Sequence, residues 1–263
     1  MSPVALKILL SFFIAGSWIA ASTMIGERLG SKRAGLISNL PSNILISMLF
    51  MALTAGPEYA AASTRGVPGG MLVDLVFILV FMVVIRRGIA AALLSALAVW
   101  LISASILAFI LPPLSLVVSV AAYVAVTAAC FFIADKVLRI KVVPKKPVAF
   151  AWSNVAVRAL FSGTVVAGAV AVAQFAPSYM TGIVATFPAV LSSTLVILAM
   201  SQGSDFVRAT GKILLISTSN ILVYVAVVGW TFVPLGPWIG TVLAFAAAVA
   251  YIVVLVPLTA RVR

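Results

Sequence analysis

Along the chain, apolar residues come in blocks of about twenty, separated by short clusters of proline, glycine or charge. A block of that length is what a helix needs to cross the hydrocarbon of a bilayer. Nine such segments are read, at roughly 8–26, 34–55, 69–85, 89–111, 114–134, 159–176, 181–201, 213–233 and 238–258. The breaks include Arg86-Arg87-Gly88, Pro112-Pro113, Ala176-Pro177-Ser178 and Pro234-Leu235-Gly236-Pro237, where a missing N–H or a flexible backbone ends a helix. The pattern predicts an all-α, polytopic transmembrane helical bundle. A first membrane half of five helices occupies 1–134, a basic cytoplasmic linker 135–158, and a second half of four helices 159–263. Eight crossings plus a re-entrant 69–85 stand as the alternative to nine, because they would keep two repeated units in one orientation, while the length of the segment, just enough to span, favours nine.

Composition agrees with the membrane reading and removes most enzyme classes. The chain is 64% hydrophobic and 8% charged, with a mean hydropathy of +1.29, where soluble domains are about half apolar and a quarter charged. Five acids (Glu27, Glu58, Asp74, Asp135, Asp205) and no histidine leave nothing from which to build a His-ligated metal site, a triad or a carboxylate dyad. No catalytic residue, metal or cofactor is expected, and the protein is read as a non-enzyme. Cys130, the single cysteine, lies in an apolar run and reads as a small packing residue.

The net charge of +12 has two readings, a nucleic-acid surface or the positive-inside bias of a membrane protein. Sorting the basic residues by side decides for the second. With nine crossings, Lys7 and Arg65 fall on one side and the other 15 of the 17 Lys and Arg on the opposite one. A multi-pass cell-membrane protein follows, N-terminus outside and C-terminus cytoplasmic, with no nucleic-acid partner. The basic cluster from Arg28 to Arg33 makes the first segment a retained helix in preference to a cleaved leader. The linker basics, Lys136 to Lys146, would also attract anionic lipid.

Two internal matches suggest a repeat. Gly35-Leu-Ile-Ser-Asn-Leu-Pro41, continuing to Gly56-Pro-Glu58-Tyr59, lies over Gly182-Ile-Val-Ala-Thr-Phe-Pro188, continuing to Gly203-Ser-Asp205-Phe206, at an offset of 147. A second match pairs Arg86, Pro112, Arg139 and Lys141 with Arg208, Pro234, Arg261 and Arg263 at an offset of 122. The difference is one membrane helix, which makes 69–85 the extra element of the first copy. The second half, with Gly182-Ile183-Val184, Phe187-Pro188, the Arg208 to Lys212 turn, the Ser217 to Tyr224 stretch and the Trp230 to Trp238 connection, resembles the GlpM-like family of small four-helix inner-membrane proteins. That resemblance implies an architecture and no substrate.

Polar groups at membrane depth are costly, and so they mark candidate sites. Asn39, Pro41, Ser42 and Asn43 surround one proline break, and Thr186, Pro188 and Ser192 surround its counterpart. Paired proline-broken helices at matching places in two halves point to a transporter's central site. A plain kink with interhelical hydrogen bonds accounts for the same residues. Asn220 and Tyr224 share a face of a later helix, in the Ser217-Thr218-Ser219-Asn220 cluster. Asp74 is the one acid beyond a segment's first turn, either a coupling carboxylate or an interface cap, with Arg65 its nearest basic candidate partner in sequence. No base is expected in the interior. Trp18, Trp100, Trp152, Trp230 and Trp238 read as interfacial anchors, and the many small residues allow a tight bundle or a homo-oligomer.

The substrate-binding candidates are therefore Asn39, Pro41, Asn43, Thr186, Pro188, Ser192 and Asn220, with Asp74 as the coupling carboxylate. The function expected is transport of a small neutral, weakly polar or lipid-like solute, or of an ion, between two repeated halves. The alternative is a non-transporting scaffold or accessory subunit of an envelope lipid or polysaccharide system. A polar cavity at the broken helices would favour the first, and fully satisfied side chains in a dry interface the second.

Overall fold

The computed structural model describes residues 3–28, 40–141, 143–144 and 151–259, with the backbone alone at 22–28 and 256–259. Asn39, Lys32, Arg33, Lys145, Lys146, Arg261 and Arg263 lie outside the described residues. Among the described residues the protein is helical and contains no strand, which makes it a multi-pass helical membrane protein.

In chain order the helices are α1 (Pro3–Arg28), α2 (Ser42–Ala55), α3 (Pro57–Ser63), α4 (Val67–Val84), α5 (Ile89–Ser105), α6 (Leu116–Phe132), α7 (Trp152–Val172), α8 (Ser178–Val184), α9 (Ala189–Gln202), α10 (Ser204–Ser217) and α11 (Asn220–Thr259). Seven stretches are long and apolar enough to cross a membrane. One of them runs from Ser204 to Leu255 and is broken at Gly236, whose φ of 77° and ψ of 161° are non-helical. Splitting there and adding the shorter apolar α2 gives nine. The stretch Val67–Arg87 is one continuous apolar span of 21 residues, so 69–85 belongs to a helix long enough to cross fully.

Four glycines make the reversals possible. Gly56, Gly88, Gly203 and Gly236 have φ of 100°, 120°, 90° and 77°, a region that a Cβ makes costly, and each joins two helices with no intervening loop. Pro57 follows in the first turn of α3 and Pro68 in that of α4, where a missing N–H costs nothing. Ser115 caps α6, its Oγ accepting from the Val118 N–H at 3.3 Å. Lys7 donates to the Leu53 carbonyl, which places the start of α1 and the end of α2 at one face of the membrane.

Close helix contact is concentrated at small residues. On α1, a Cβ at Gly16 would meet the Ala159 carbonyl oxygen at 3.1 Å, and on α7 a Cβ at Gly163 would meet that of Phe12 at 2.7 Å. Gly66 and Gly182 are closer still: a Cβ on the first would lie 2.0 Å from the Tyr179 oxygen, and on the second 2.0 Å from the Ser63 oxygen. The outer surface is apolar, with Phe109, Val117, Phe132, Trp230 and Trp238 all exposed, as lipid contact requires.

Three expectations need correction. α7 begins at Trp152, seven residues ahead of the expected 159, so Arg158 stands in its second turn and not in the linker. Lys212 and Arg208 are buried, which overturns the expectation of an interior without bases. Lys212 donates to Asp135 Oδ1 at 2.7 Å and to the Ile140 carbonyl at 3.2 Å, and it lies 5.5 Å from the centre of the Phe131 ring. Together these tie the end of α6 to α10. Trp100 is 3% exposed, so it is a core residue and not an interfacial anchor, whereas Trp152, Trp230 and Trp238 do face outward.

Candidate functional site

The two proline breaks have one backbone geometry. Pro41, before α2, has φ −77° and ψ 49°, and Pro188, before α9, has φ −77° and ψ 50°. Both helices are 14 residues long, and both end on a positive-φ glycine. In each case the first helical N–H doubles back to the carbonyl two residues earlier, Ser42 to Leu40 and Ala189 to Phe187, both at 2.7 Å. The first i to i−4 bonds follow three residues later, Leu45 to Pro41 and Ser192 to Pro188. Neither N-terminus has a side-chain cap.

Both breaks open on one cavity of about 130 Å³, the space open to the centre of a water-sized sphere. Pro41, Asn43, Thr186, Pro188, Asn220 and Asp74 all line it, although they belong to separate segments of the chain. Ser192 does not line it: its side chain is buried in the α9 packing, with no hydrogen-bond partner for Oγ. Asn39 lies outside the described residues.

Each lining group is held differently. Thr186 donates to the Ile183 carbonyl at 2.7 Å. It packs on Gly70, where a Cβ would approach its Oγ1 to 2.2 Å, so only glycine leaves room for this contact between α4 and the α8–α9 break. Asn43 Oδ1 and Ser217 Oγ are buried without a partner. Unmet polar atoms in a membrane interior cost about 1–3 kcal/mol each, which is tolerable where a water or ligand supplies the bond.

Asp74 is 2% exposed, and its Oδ1 accepts from the Trp100 indole N–H at 2.7 Å. A charged carboxylate at the bilayer centre costs about 2.5–3.5 kcal/mol on insertion scales. One hydrogen bond to a charged group returns about 1.5–3 kcal/mol, so Trp100 offsets part of the cost. Arg65, the partner suggested by sequence distance, lies instead in a shallow groove with Pro113, Ser115 and Tyr179. Trp100 in turn stacks edge-on against Phe187 at 5.0 Å between ring centres, which couples Asp74 to the residue before Pro188. Arg158, Ser217 and Thr218 also line the cavity. Sequence reasoning set Ser217 and Thr218 in a polar cluster without choosing them, and it missed Arg158.

Asp205 lies 3.9 Å from Arg208 and 3.7 Å from Arg86. The Asp205 and Arg86 side chains are both mostly exposed, so their pair contributes little.

Residues 8–112 match the model of DUF3147, a family of proteins of unknown function. The matched stretch begins in α1 and ends just beyond the π turn, Ile106–Ile110, that continues α5. It leaves out α6 and everything after it. The GlpM-like resemblance rests on the other half and is not among the matches found. No curated protein and no solved structure matches the chain.

Proposed function

We propose that the protein transports a small solute or ion through the cavity between α2 and α9, and that it is built from two copies of a four-helix unit inserted in opposite senses. The carrying observation is the convergence of both proline breaks, with their shared dihedrals, on one polar-lined cavity. Transporters with inverted repeats place their sites at such broken helices near the membrane midplane. A scaffold would have satisfied side chains in a dry interface, whereas here Asn43 Oδ1 and Ser217 Oγ lack partners.

The repeat reading rests on register. Gly16 and Gly163 are 147 apart, and so are the residues they meet across the contact, Phe12 and Ala159. Residue i of one copy meets residue j of the other, and the converse contact also occurs, which is the signature of a two-fold axis. The glycine reversals extend the offset: Gly56 pairs with Gly203 at 147, and Gly88 with Gly236 at 148. On this register 69–85 has a counterpart in the first arm of α11, and the extra element is α6. The match at an offset of 122 is then a coincidence of basic residues and prolines at helix ends.

Four crossings, one connector and four crossings leave the copies inverted throughout. The basic residues agree: the first copy carries them after its first and third crossings, at Arg28 and at Arg86-Arg87, and the second before its first and after its second, at Lys136 to Lys141 and at Arg208. Complementary loops are what oppositely inserted copies require under the positive-inside rule.

The test is accessibility and flux in the full-length protein. In a Cys130→Ala background reconstituted in vesicles, Asn43→Cys and Asn220→Cys should react with a membrane-impermeant thiol reagent. Vesicles should also show protein-dependent uptake of some member of a broad solute panel. Cysteines unreactive from both sides, together with no flux, would support the scaffold instead.

A further inference from the structure

We infer that the cavity binds an anionic group, a carboxylate or phosphate, of a small ligand, held by the N-termini of α2 and α9 that both line it, with Arg158. This rests on the transport reading above and assigns its substrate class.

Four backbone N–H groups, those of Asn43 and Ile44 in α2 and of Val190 and Leu191 in α9, precede the first i to i−4 bond of their helices, and no side chain caps either end. All four residues line the cavity. A helix N-terminus with free N–H groups carries roughly half a positive charge and attracts anions. Two such ends on one cavity are a stronger arrangement than either alone, and discontinuous helices use them in this way for substrate carboxylates.

A second observation points to a ligand independently. Ser217 is 5% exposed, its Oγ has no hydrogen-bond partner, and it lines the same cavity from α10. A hydroxyl can donate to an anion's oxygen. Arg158, from α7, adds a guanidinium to the lining, the side chain best matched to a planar carboxylate or a phosphate.

The sign follows from counting. Among the described residues that line it, Asp74 and Arg158 can carry full charge. The two helix ends add roughly one positive charge to that pair. Asp74 has one oxygen committed to Trp100, and it leaves the anion's own oxygens to the opposite set of donors. The volume of about 130 Å³ is far above what a single water needs and suits a small organic anion.

The experiment uses the full-length protein with isosteric ligands of three charges: benzoate, benzamide and benzylamine, with inorganic phosphate and glycerol 3-phosphate against glycerol. Ligand-induced thermal stabilisation is read in detergent and uptake in vesicles. The anionic members are expected to stabilise and the neutral and cationic ones not. Arg158→Gln should raise the apparent Kd for the anion at least tenfold, and Arg158→Lys should raise it less. Ser217→Ala supplies a milder second variant should Arg158→Gln fold poorly. Stabilisation or flux confined to benzamide, glycerol or benzylamine overturns the anion assignment and leaves transport standing. Anion binding without flux keeps the assignment and removes transport. No response to any of them, in binding or flux, overturns both.

Discussion

Gly182→Ala adds one methyl group where, with Gly66, the described glycines make their closest helix contact. On an isolated helix the change is favourable, since alanine exceeds glycine by about 1 kcal/mol in a helix interior. Here the new Cβ would sit 2.0 Å from the Ser63 carbonyl oxygen and 3.1 Å from the Gly66 Cα. Both neighbours are backbone, so no rotamer change relieves the overlap. Contacts below 3.0 Å essentially never occur for a Cβ, and α8 must therefore draw back by about 1 Å from the turn between α3 and α4. Overpacking of this kind costs about 1–3 kcal/mol and sometimes more, which outweighs the helix gain. The displaced segment also carries Thr181, whose Oγ1 lies 2.7 Å from the Tyr59 hydroxyl of α3, and that hydroxyl donates to the Ala176 carbonyl just ahead of α8 at 2.6 Å. Gly168 provides the control: it lies in α7, and a Cβ there would meet nothing within 4 Å, so Gly168→Ala should be neutral or stabilising by up to about 1 kcal/mol. Reversible unfolding in mixed micelles with increasing SDS, followed by tryptophan fluorescence, measures both. Gly66→Ala with Gly182→Ala should be less than additive, because the first separation relieves the second clash. Equal stability of Gly182→Ala and Gly168→Ala would refute the claim that backbone contact sets this crossing.

Three further outcomes follow from the same contacts. Trp100→Phe keeps the ring and removes the donor to Asp74, so it should destabilise by about 1–3 kcal/mol, and most of that loss should vanish in the Asp74→Leu background in a double-mutant cycle. Asp135→Ala should harm folding more than Lys212→Met, since it strands a buried ammonium while the methionine leaves only an accessible carboxylate; expression and unfolding of the two variants, ranked the other way, would refute it. In the Cys130→Ala background, Arg87→Cys and Leu235→Cys precede the equivalent reversals at Gly88 and Gly236 and should be labelled from opposite faces of the membrane, whereas labelling from one face would dispose of the inverted arrangement.

The spans were legible because lipid imposes a length on an apolar block, and the breaks at Pro41 and Pro188 because a proline inside a helix removes a backbone hydrogen bond. Asp74 was legible by depth alone. Arg158 was not, since the first two turns of α7, Trp152 to Arg158, mix polar and apolar residues and read as the end of a linker. Trp100 was misassigned because a tryptophan at an interface and one that donates to a buried acid look the same in a sequence. Lys212 was placed with the surface basics because the partner that lets it be buried, Asp135, is 77 residues away. The register proposed above for the repeat is hard to read from sequence for a related reason. Basic residues and prolines recur at helix ends whether or not the ends are equivalent, while a positive-φ glycine is demanded by the backbone at the reversal itself.

If the chain is the two-copy arrangement we propose, the offset of 147 also exposes where the copies differ. Arg158 on α7 corresponds to Ser11 on α1, which is buried and bonded to its own helix through the Ile8 carbonyl, and Asp74 corresponds to Ile221. Two separate identical units meeting face to face would have to present each charged group twice or not at all. Joining them through α6 would free the chain from that obligation, and among the described residues the cavity carries one guanidinium and one carboxylate. On the transport reading proposed above, a ligand there would meet a polarised chamber with a distinct head and tail, and the inward-facing and outward-facing forms of such a carrier would be unequal in energy.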